Sequence, residues 1–304
     1  MLILVRKGAI TWPSACTDPG VKPNTPYWLV ATDLDGTLLD AEYDHAQAAA
    51  AVDTLSDAAN AQVVLASSKT VAEMVDLADR CESNPLLLFE NGTGLAWRTS
   101  QLPLQGGQSY LGYQVDSVAT ARDYQSLRDQ LQIWRHAHGF GFRGFGDLSS
   151  GEIAELTGLS SGGADLARRR LYTEPLIWDD SEEQLLTFTT LLEQNGLRLL
   201  AGGRFLHVMP QTDKADGLAR LSQMLTKAHG RAQGLVACGD APNDLSMLQS
   251  ADLAVVFPDP EGGYLLPESA AVRHACMAGP TAWLSCLTRL LTTASVTNQR
   301  ITPQ

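Results

Sequence analysis

The sequence predicts an α/β fold in which a doubly wound, Rossmann-like parallel sheet carries an inserted α+β module. Three apolar segments, at 27–32, 62–67 and 234–238, are each followed by a turn and a helical pattern, and a shorter apolar segment covers 253–257. Continuous rather than alternating hydrophobicity is typical of parallel strands that are covered on both faces. Strands that alternate with helices in this way favour a doubly wound sheet.

The middle of the chain has a different pattern. Its predicted elements are a polar strand at 109–115, a helix at 120–136, a strand near 140–145, short helices, a strand at 174–178, a helix at 181–195 and a strand at 197–201. Ser181 and Gln184 have the spacing of a capping box, and Gly196 stands where a helix C-cap is expected. We therefore predict an N-terminal extension at 1–25, core segments at 26–101 and 204–292, an inserted module at 102–203 and a C-terminal tail at 293–304.

Composition narrows the classes of protein to consider. The 304 residues include 34 acidic and 22 basic side chains, for a net charge of -12, which argues against non-specific nucleic-acid binding. No apolar run reaches the roughly twenty residues of a membrane span. The five cysteines contain no CxxC pair, and the charges near the N-terminus follow the first apolar residues, the reverse of a secretory signal. We expect a cytoplasmic protein with reduced thiols and no nucleic-acid or membrane partner.

The segment DLDGT follows the first predicted strand. Asp33 and Asp35 are two residues apart, so in an extended chain both side chains point the same way, at the end of a strand where open α/β sheets bind ligands. Two carboxylates this close repel each other unless a cation lies between them, and Mg²⁺ suits oxygen ligands. Gly36 allows a tight backbone path, and Thr37 offers a hydroxyl to an anion. An EF-hand is excluded because the sixth residue from Asp33 is Leu38, which leaves a solvated turn as the alternative.

A second cluster, Ser67-Ser68-Lys69-Thr70, closes the second apolar segment. Small hydroxyl residues and a cation at a strand-to-helix junction suit phosphate, because the helix amides and dipole point at the anion. The alternative is an ordinary serine N-cap for a helix at 71–80.

Lys214 begins a predicted helix after the strand 205–210. The helix dipole disfavours a cation at that position, which indicates an anionic partner, although a surface lysine is the simpler reading of this residue alone.

The segment CGDAPNDLSML repeats the arrangement of the first strand, with Asp240 at the strand end. Asn243 and Asp244 follow in the first turn of a helix, where they could equally be caps. Four polar clusters at the ends of four strands together predict a metal and phosphate site.

These motifs resemble a known family. DLDGT, a strand that ends in serine, a lysine that begins a helix, and GDAPND resemble the four motifs of the haloacid dehalogenase-like (HAD) phosphatases, over about residues 27–290. SSKT followed by AEM, then FENGTGLAW, YTEPLIW and GGRFLHV, resemble the mannosyl-3-phosphoglycerate phosphatase family. The inserted module then corresponds to that family's α/β cap domain, which determines substrate specificity.

The resemblance implies a role for each core residue. Asp33 is the nucleophile that forms an aspartyl-phosphate, and Asp35 is first the general acid for the leaving group and then the base for water. Ser67 and Lys214 hold the phosphoryl oxygens. A carboxylate nucleophile divides a difficult hydrolysis into two steps, and cations offset the repulsion between two anions.

The resemblance also implies a Mg²⁺ cofactor. Its ligands are the Asp33 carboxylate, the Asp35 backbone carbonyl and Asp240, with Asn243 and Asp244 as a supporting shell. The implied substrate-binding residues are Ser68, Lys69, Glu90, Asn91, Glu174 and Arg204. For Glu174 the alternative is a charge at a strand edge. The run at 168–170 could meet an anion, but as the end of a short helix it is expected to be a solvated face. The spacing of His136 and His138 does not suit a helical zinc pair.

The predicted function is Mg²⁺-dependent hydrolysis of mannosyl-3-phosphoglycerate to phosphate and mannosylglycerate, a compatible solute. The substrate is thus a small phosphorylated sugar-glycerate, and the sequence predicts no particular oligomeric state. A second reading keeps the chemistry but takes glucosyl-3-phosphoglycerate or another sugar phosphate. A third is a catalytically silent sugar-phosphate sensor, which the presence of Asp33, Asp35, Lys214 and Asp240 disfavours.

Overall fold

A computed structural model of the chain describes residues 27–99, 107–118, 122–202, 205–230, 233–268 and 271–299, with side chains described as far as residue 291. The helices are α1 His45–Ala59, α2 Val71–Arg80, α3 Tyr124–His138, α4 Ser150–Thr157, α5 Ser161–Ala167, α6 Glu182–Gln194, α7 Lys214–His229, α8 Leu245–Ser250 and α9 Pro280–Gln299. The strands are β1 Trp28–Thr32, β2 Ala61–Ala66, β3 Leu86–Phe89, β4 Gly94–Trp97, β5 Gln108–Tyr110, β6 Tyr113–Ser117, β7 Phe142–Gly144, β8 Glu174–Trp178, β9 Leu197–Ala201, β10 Leu206–Pro210, β11 Gly234–Gly239, β12 Leu253–Val256 and β13 Val272–His274. None of the helices within these ranges is both long and apolar enough to span a membrane.

The larger sheet has nine strands in the order β13-β12-β11-β1-β2-β3-β4-β6-β5. The six strands from β13 to β3 are parallel, and β4, β6 and β5 continue the sheet in antiparallel pairs. The four apolar segments of the sequence form β1, β2, β11 and β12, which are neighbours in this sheet. The predicted doubly wound α/β fold is therefore confirmed.

Helices cover both faces of the parallel part of the sheet. Buried side chains of α1, α2 and α9 pack on one face, and those of α7 and α8 pack on the other. This arrangement explains why the parallel strands are continuously apolar, since neither face of the sheet meets water. A large apolar core is thereby formed on each side of β1.

Strand register brings the predicted clusters to one edge of the sheet. Thr32 at the end of β1 lies level with Leu65 of β2 and Cys238 of β11. The residues that follow these strands, including Asp33 and Asp240, therefore leave the sheet side by side at its carboxyl edge. Ligands bind at this edge in open α/β sheets.

The smaller sheet is antiparallel, in the order β7-β8-β10-β9. One apolar cluster joins this sheet to α3 and α6, and a second joins residues of α4 and α5 to Ile177 and Phe205. We call residues 122–210 the cap. The helix predicted at 181–195 is α6, with Ser181 as its N-cap and Gly196 in the left-handed region just beyond its end.

The predicted division of the chain at 102 and 203 does not coincide with the division of strands between the sheets. The single polar strand predicted at 109–115 is the hairpin β5–β6, which pairs with β4 and extends the larger sheet. The strand β10 pairs with β8 and β9 in the smaller sheet. The polar composition of this segment did not indicate that it forms two paired strands. The extension at 1–25 lies outside the described residues, and all side chains of the tail at 293–304 lie outside the described side chains.

Candidate active site

The turn after β1 carries the first pair of aspartates. Gly36 has φ +79°, and a Cβ atom there would lie 2.5 Å from Asp240 Oδ2, so only glycine fits both the backbone and the space. Thr37 Oγ1 donates to Asp240 Oδ1 at 3.0 Å. This hydrogen bond connects the turn after β1 to the turn after β11. Asp33 and Asp240 therefore border the same space at the carboxyl edge of the sheet.

Lys214 is the cation of this space. It is the first residue of α7, its side chain is 0% exposed, and Nζ donates to Asp33 Oδ1 at 2.5 Å and to Asp244 Oδ1 at 2.6 Å. Burial alone would lower the pKa of Lys214, but the carboxylates of Asp244 and Asp33 outweigh burial and raise it. The simple reading of Lys214 as a surface lysine is therefore wrong.

Three carboxylates surround this ammonium. Oxygen atoms of Asp33, Asp240 and Asp244 lie within 4.8 Å of one another. Burial, followed by the charge of Asp244, raises the pKa of Asp33 well above its ordinary value, and the same two causes raise the pKa of Asp240 to about 6. Three carboxylates and one ammonium leave two negative charges in a largely buried space. A divalent cation fits that excess, and hard carboxylate oxygens are suitable ligands.

Asp244 lies in the acidic cluster itself rather than behind it. Its Oδ2 accepts from the backbone nitrogens of Asp240 and Ala241, at 3.2 and 3.1 Å, so this carboxylate also fixes the turn after β11. Asn243 points elsewhere: its Nδ2 donates to Asn91 Oδ1 at 3.1 Å. Asp244 is thus the more central of the two residues predicted for the supporting shell, and the role of Asn243 in that shell stays a prediction.

The loop after β2 brings Lys69 to Asp35. The ammonium of Lys69 forms an ion pair with the Asp35 carboxylate, and the amide of Lys69 donates to Ser67 Oγ at 3.2 Å. Helix α2 is capped by Thr70, which forms a capping box with Glu73. The alternative of a serine N-cap is therefore wrong, and Ser67 is buried at the carboxyl edge beside β1.

Glu90 has a different role from the predicted one. Its buried carboxylate accepts from the backbone nitrogens of Leu171, Tyr172 and Thr173, at 2.7, 3.0 and 2.7 Å, and from Thr173 Oγ1 at 2.8 Å. Its own amide donates to the Lys69 carbonyl. Because four donors from one cap segment occupy these oxygens, Glu90 fastens the cap to the core rather than contacting substrate directly.

Arg170 was predicted to be part of a solvated helix end, and this is wrong. The side chain is 3% exposed, and Nη2 donates to the Ser68 carbonyl at 3.2 Å and to Thr173 Oγ1 at 2.6 Å. Nε lies 3.7 Å from Glu90 Oε2. The sequence does not distinguish the buried Arg170 from its neighbour Arg169, which pairs with an aspartate at the surface.

Glu174 is also held within the protein. Tyr124 donates to Oε2 at 2.6 Å and the Gly146 amide donates to Oε1 at 2.9 Å, both from the cap. Burial raises the pKa of Glu174 to about 7. The structure therefore supports neither the predicted substrate contact nor the alternative of a strand-edge charge, because the residue is 2% exposed. Arg204 lies outside the described residues.

A cavity of about 420 Å³ lies between the core and the cap. Of the predicted residues, it is lined by Asp33, Asp35, Ser68, Lys69, Asn91 and Asn243. The lining residues that sequence reasoning missed include Tyr43, Arg170 and His207. Burial lowers the pKa of His207 to about 3, so its imidazole is neutral. Arg170 carried a signal, since a guanidinium is expected near an anion, and His207 belongs to the segment GGRFLHV that resembles the family; Tyr43 lies in a turn and belongs to no motif.

No family model matches the chain. A protein from Methanococcoides burtonii, described as a glucosyl-3-phosphoglycerate/mannosyl-3-phosphoglycerate phosphatase, is 29% identical to it over 270 residues. The matched region covers 86% of the chain and 97% of that protein. This similarity extends over core and cap together.

Solved structures share the fold. A phosphatase of the haloalkanoate (HAD) enzyme superfamily from Bacteroides thetaiotaomicron aligns with a TM-score of 0.57 and 18% identity, covering 90% of the chain and 99% of its own length. The sucrose-phosphatase from Synechocystis sp., solved with sucrose and phosphate, aligns with a TM-score of 0.53 and 16% identity, covering 86% and 97%. The chain thus has the fold of the haloacid dehalogenase-like phosphatases, and its sequence is similar to that of the Methanococcoides burtonii phosphatase over most of both chains.

Proposed function

We propose that the chain hydrolyses mannosyl-3-phosphoglycerate to mannosylglycerate and phosphate, with Mg²⁺ as cofactor and an aspartyl-phosphate on Asp33 as intermediate. The observation that carries the proposal is the fully buried Lys214, held between Asp33 and Asp244 at the carboxyl edge of the sheet. A buried ammonium with acidic partners on two strand ends is an arrangement that suits phosphoryl transfer.

Asp33 is the nucleophile in this proposal. Lys214 binds its Oδ1, which leaves Oδ2 as the oxygen that attacks phosphorus. Burial and the charge of Asp244 oppose ionisation of this carboxyl group, so Lys214 is needed to keep Asp33 anionic. The same ammonium then lies beside the phosphoryl oxygens as the phosphorus-oxygen bond to the leaving group breaks.

The acidic cluster supports the proposed metal site. Asp33, Asp240 and Asp244 would hold the ion, together with the Asp35 backbone carbonyl that the resemblance implies. When bound, Mg²⁺ would offset the charge of the phosphoryl group and of the attacking carboxylate.

Asp35 is the proposed general acid. With its carboxyl group protonated, it gives the proton to the leaving alkoxide, and the carboxylate so formed removes a proton from the water that attacks the aspartyl-phosphate, which releases inorganic phosphate and restores Asp33. The ion pair with Lys69 holds the Asp35 carboxylate at the cavity. Lys69 is thus a positioning residue for Asp35 and a cation for the substrate.

The cavity supports a substrate that extends beyond phosphate. It continues from Asp33 to the cap, where Arg170 and Phe205 contribute a cation and an apolar wall. The glycerate carboxylate requires a cation, which Lys69 or Arg170 can supply. The name of the Methanococcoides burtonii relative also supports a glycosyl-3-phosphoglycerate.

Glucosyl-3-phosphoglycerate is the second candidate substrate, because the name of that relative gives both sugars. The two esters differ in the stereochemistry of one hydroxyl group and share the phosphate and the glycerate. The same core chemistry serves both, so only the cap side of the cavity distinguishes them.

Phosphate release tests the proposal. Mannosyl-3-phosphoglycerate, glucosyl-3-phosphoglycerate, sucrose 6-phosphate and 3-phosphoglycerate are each supplied with Mg²⁺ or with a chelator. We expect Mg²⁺-dependent release, highest with the mannosyl ester, and none from the isosteric variant Asp33→Asn. Normal turnover by Asp33→Asn would contradict the covalent mechanism, and preference for the glucosyl ester would replace the proposed substrate.

A further inference from the structure

The geometry points to Tyr43 as a specificity-determining residue, whose ring contacts the sugar of the substrate's leaving group. This inference rests on the proposed function and adds to it the residue that distinguishes a glycosylated substrate from a bare phosphoglycerate. Tyr43 belongs to no motif of the sequence and has no part in the chemistry described above.

The backbone of Tyr43 is strained. Its φ is +53°, in the left-handed region that glycine and asparagine accept more easily than an aromatic residue. The turn fixes this conformation from both sides, because the Tyr43 amide donates to the Asp40 carbonyl at 3.3 Å and Asp44 is the N-cap of α1. Strained residues that persist are concentrated at ligand-binding sites. The Tyr43 side chain lines the cavity between core and cap.

The ring lies beside the groups that meet the leaving group. Its centre is 5.7 Å from Lys69 Nζ, and Lys69 is paired with the Asp35 carboxylate. The leaving-group oxygen must come within hydrogen-bond distance of Asp35 to receive a proton. The carbon attached to that oxygen, C3 of the glycerate, therefore lies next to Lys69 and Tyr43, and the sugar follows through the oxygen on the neighbouring glycerate carbon. The ring lines the cavity and is 49% exposed, so one part remains open to a ligand.

The chemistry of a pyranose suits this surface. A sugar ring has a face of C–H bonds that packs on an aromatic ring, and its hydroxyl groups bond to polar groups around the rim. Tyrosine offers an apolar face and a hydroxyl at its edge.

A simpler role has to be separated from this one. Tyr43 could merely cover Lys69 by a cation–π contact and so hold the Lys69–Asp35 pair. That role would affect every phosphate ester equally, because Asp35 serves all of them. A sugar contact affects only substrates that carry the sugar. The two roles therefore predict different ratios between substrates.

The test compares two substrates and two variants. Mannosyl-3-phosphoglycerate and 3-phosphoglycerate share the phosphate and glycerate and differ by the sugar; the glucosyl ester takes the place of the first if it is preferred. Tyr43→Asn removes the ring in a residue that tolerates a positive φ, so a loss does not come from the backbone. Tyr43→Phe keeps the ring and removes only the hydroxyl. Thermal unfolding confirms that both variants fold.

We expect Tyr43→Asn to raise KM for the glycosyl ester about tenfold and to change kcat/KM for 3-phosphoglycerate less than about twofold, while Tyr43→Phe stays near the wild type on both. An equal loss on both substrates, or no loss on either, overturns the sugar contact. Failure of the proposed function is seen separately, since wild-type enzyme would then not hydrolyse either glycosyl ester. If the Asn variant does not fold, the affinity of Tyr43→Leu for mannosylglycerate is measured instead. An affinity equal to that of the wild type overturns the inference.

Discussion

Replacing Glu90 by glutamine should weaken the attachment of the cap. The carboxylate accepts four hydrogen bonds from the segment 171–173, at distances between 2.7 and 3.0 Å. An amide has one acceptor oxygen. If this oxygen faces Tyr172 and Thr173, the amide nitrogen faces the backbone N–H of Leu171, which then has no acceptor on this side chain. A buried donor without a partner costs about 1–3 kcal/mol.

The loss of charge adds to this cost. Arg170 lies 3.7 Å from Glu90 with both side chains almost completely buried, and removal of one partner of such a pair costs about 3–5 kcal/mol. The two costs overlap because they concern one carboxylate, so we expect Glu90→Gln to lower the free energy of unfolding by about 3–5 kcal/mol. This segment also carries Arg170 to the cavity, so KM should rise in the same variant.

Urea unfolding followed by tryptophan fluorescence measures the change, provided that the m values agree. Glu152→Gln is the matched control, since that carboxylate also accepts two hydrogen bonds from one residue, Ser149, but at the surface. A loss for Glu90→Gln no larger than for Glu152→Gln would show that the Glu90 hydrogen bonds do not hold the cap to the core.

Three further outcomes follow from the site and the cap. Lys214→Met should lower kcat by about 100- to 1000-fold, because one preorganised cation is lost from the transferring phosphoryl group, and an unchanged kcat would contradict its placement. Gly36→Ala should lower kcat/KM by about 100-fold through displacement of the aspartate that its Cβ would meet, with a folded protein by circular dichroism; normal activity would refute that close approach. Burial raises the pKa of Glu174 to about 7, so ionisation of this carboxyl group destabilises the folded protein. The loss of stability is absent below the ordinary pKa of 4.5 and reaches its full size above pH 7. Glu174→Gln, which resembles the protonated acid, should therefore gain about 3 kcal/mol relative to wild type between pH 4.5 and 7.5, as measured by urea unfolding, whereas a difference that does not vary with pH would contradict the shift.

The core was predictable because each of its signals is local. Continuous apolar runs give β1, β2, β11 and β12, and the polar residue directly after β1, β2 and β11 lies at the carboxyl edge for geometric reasons alone. The convergence of Asp33 and Asp240 follows from parallel pairing, which those runs already imply, whereas Lys214 reaches them from the start of α7, after a strand of the smaller sheet. Strand type and site position are thus consequences of the same pattern.

The cap side was less predictable because its residues act through long-range contacts. Glu90 precedes a glycine turn and gives no local sign that a segment eighty residues later will bind its carboxylate. Arg170 lies in a run of three arginines, and only tertiary packing separates the buried one from its exposed neighbour. The hairpin β5–β6 has a polar composition, so its pairing with β4 depends on an edge that was itself not predicted.

The covalent intermediate tests the central claim most directly. Wild-type protein and Asp35→Asn are mixed with substrate phosphorylated with ³²P in the presence of Mg²⁺, quenched in acid within milliseconds and digested, and the labelled peptide is identified by mass spectrometry. We predict a phosphoryl group on the peptide that contains Asp33, slower both to form and to decay in Asp35→Asn because the leaving group then lacks its acid and the hydrolytic water its base, and absent from Asp33→Asn. Turnover of substrate with no label on that peptide, or label that persists in Asp33→Asn, would contradict the mechanism.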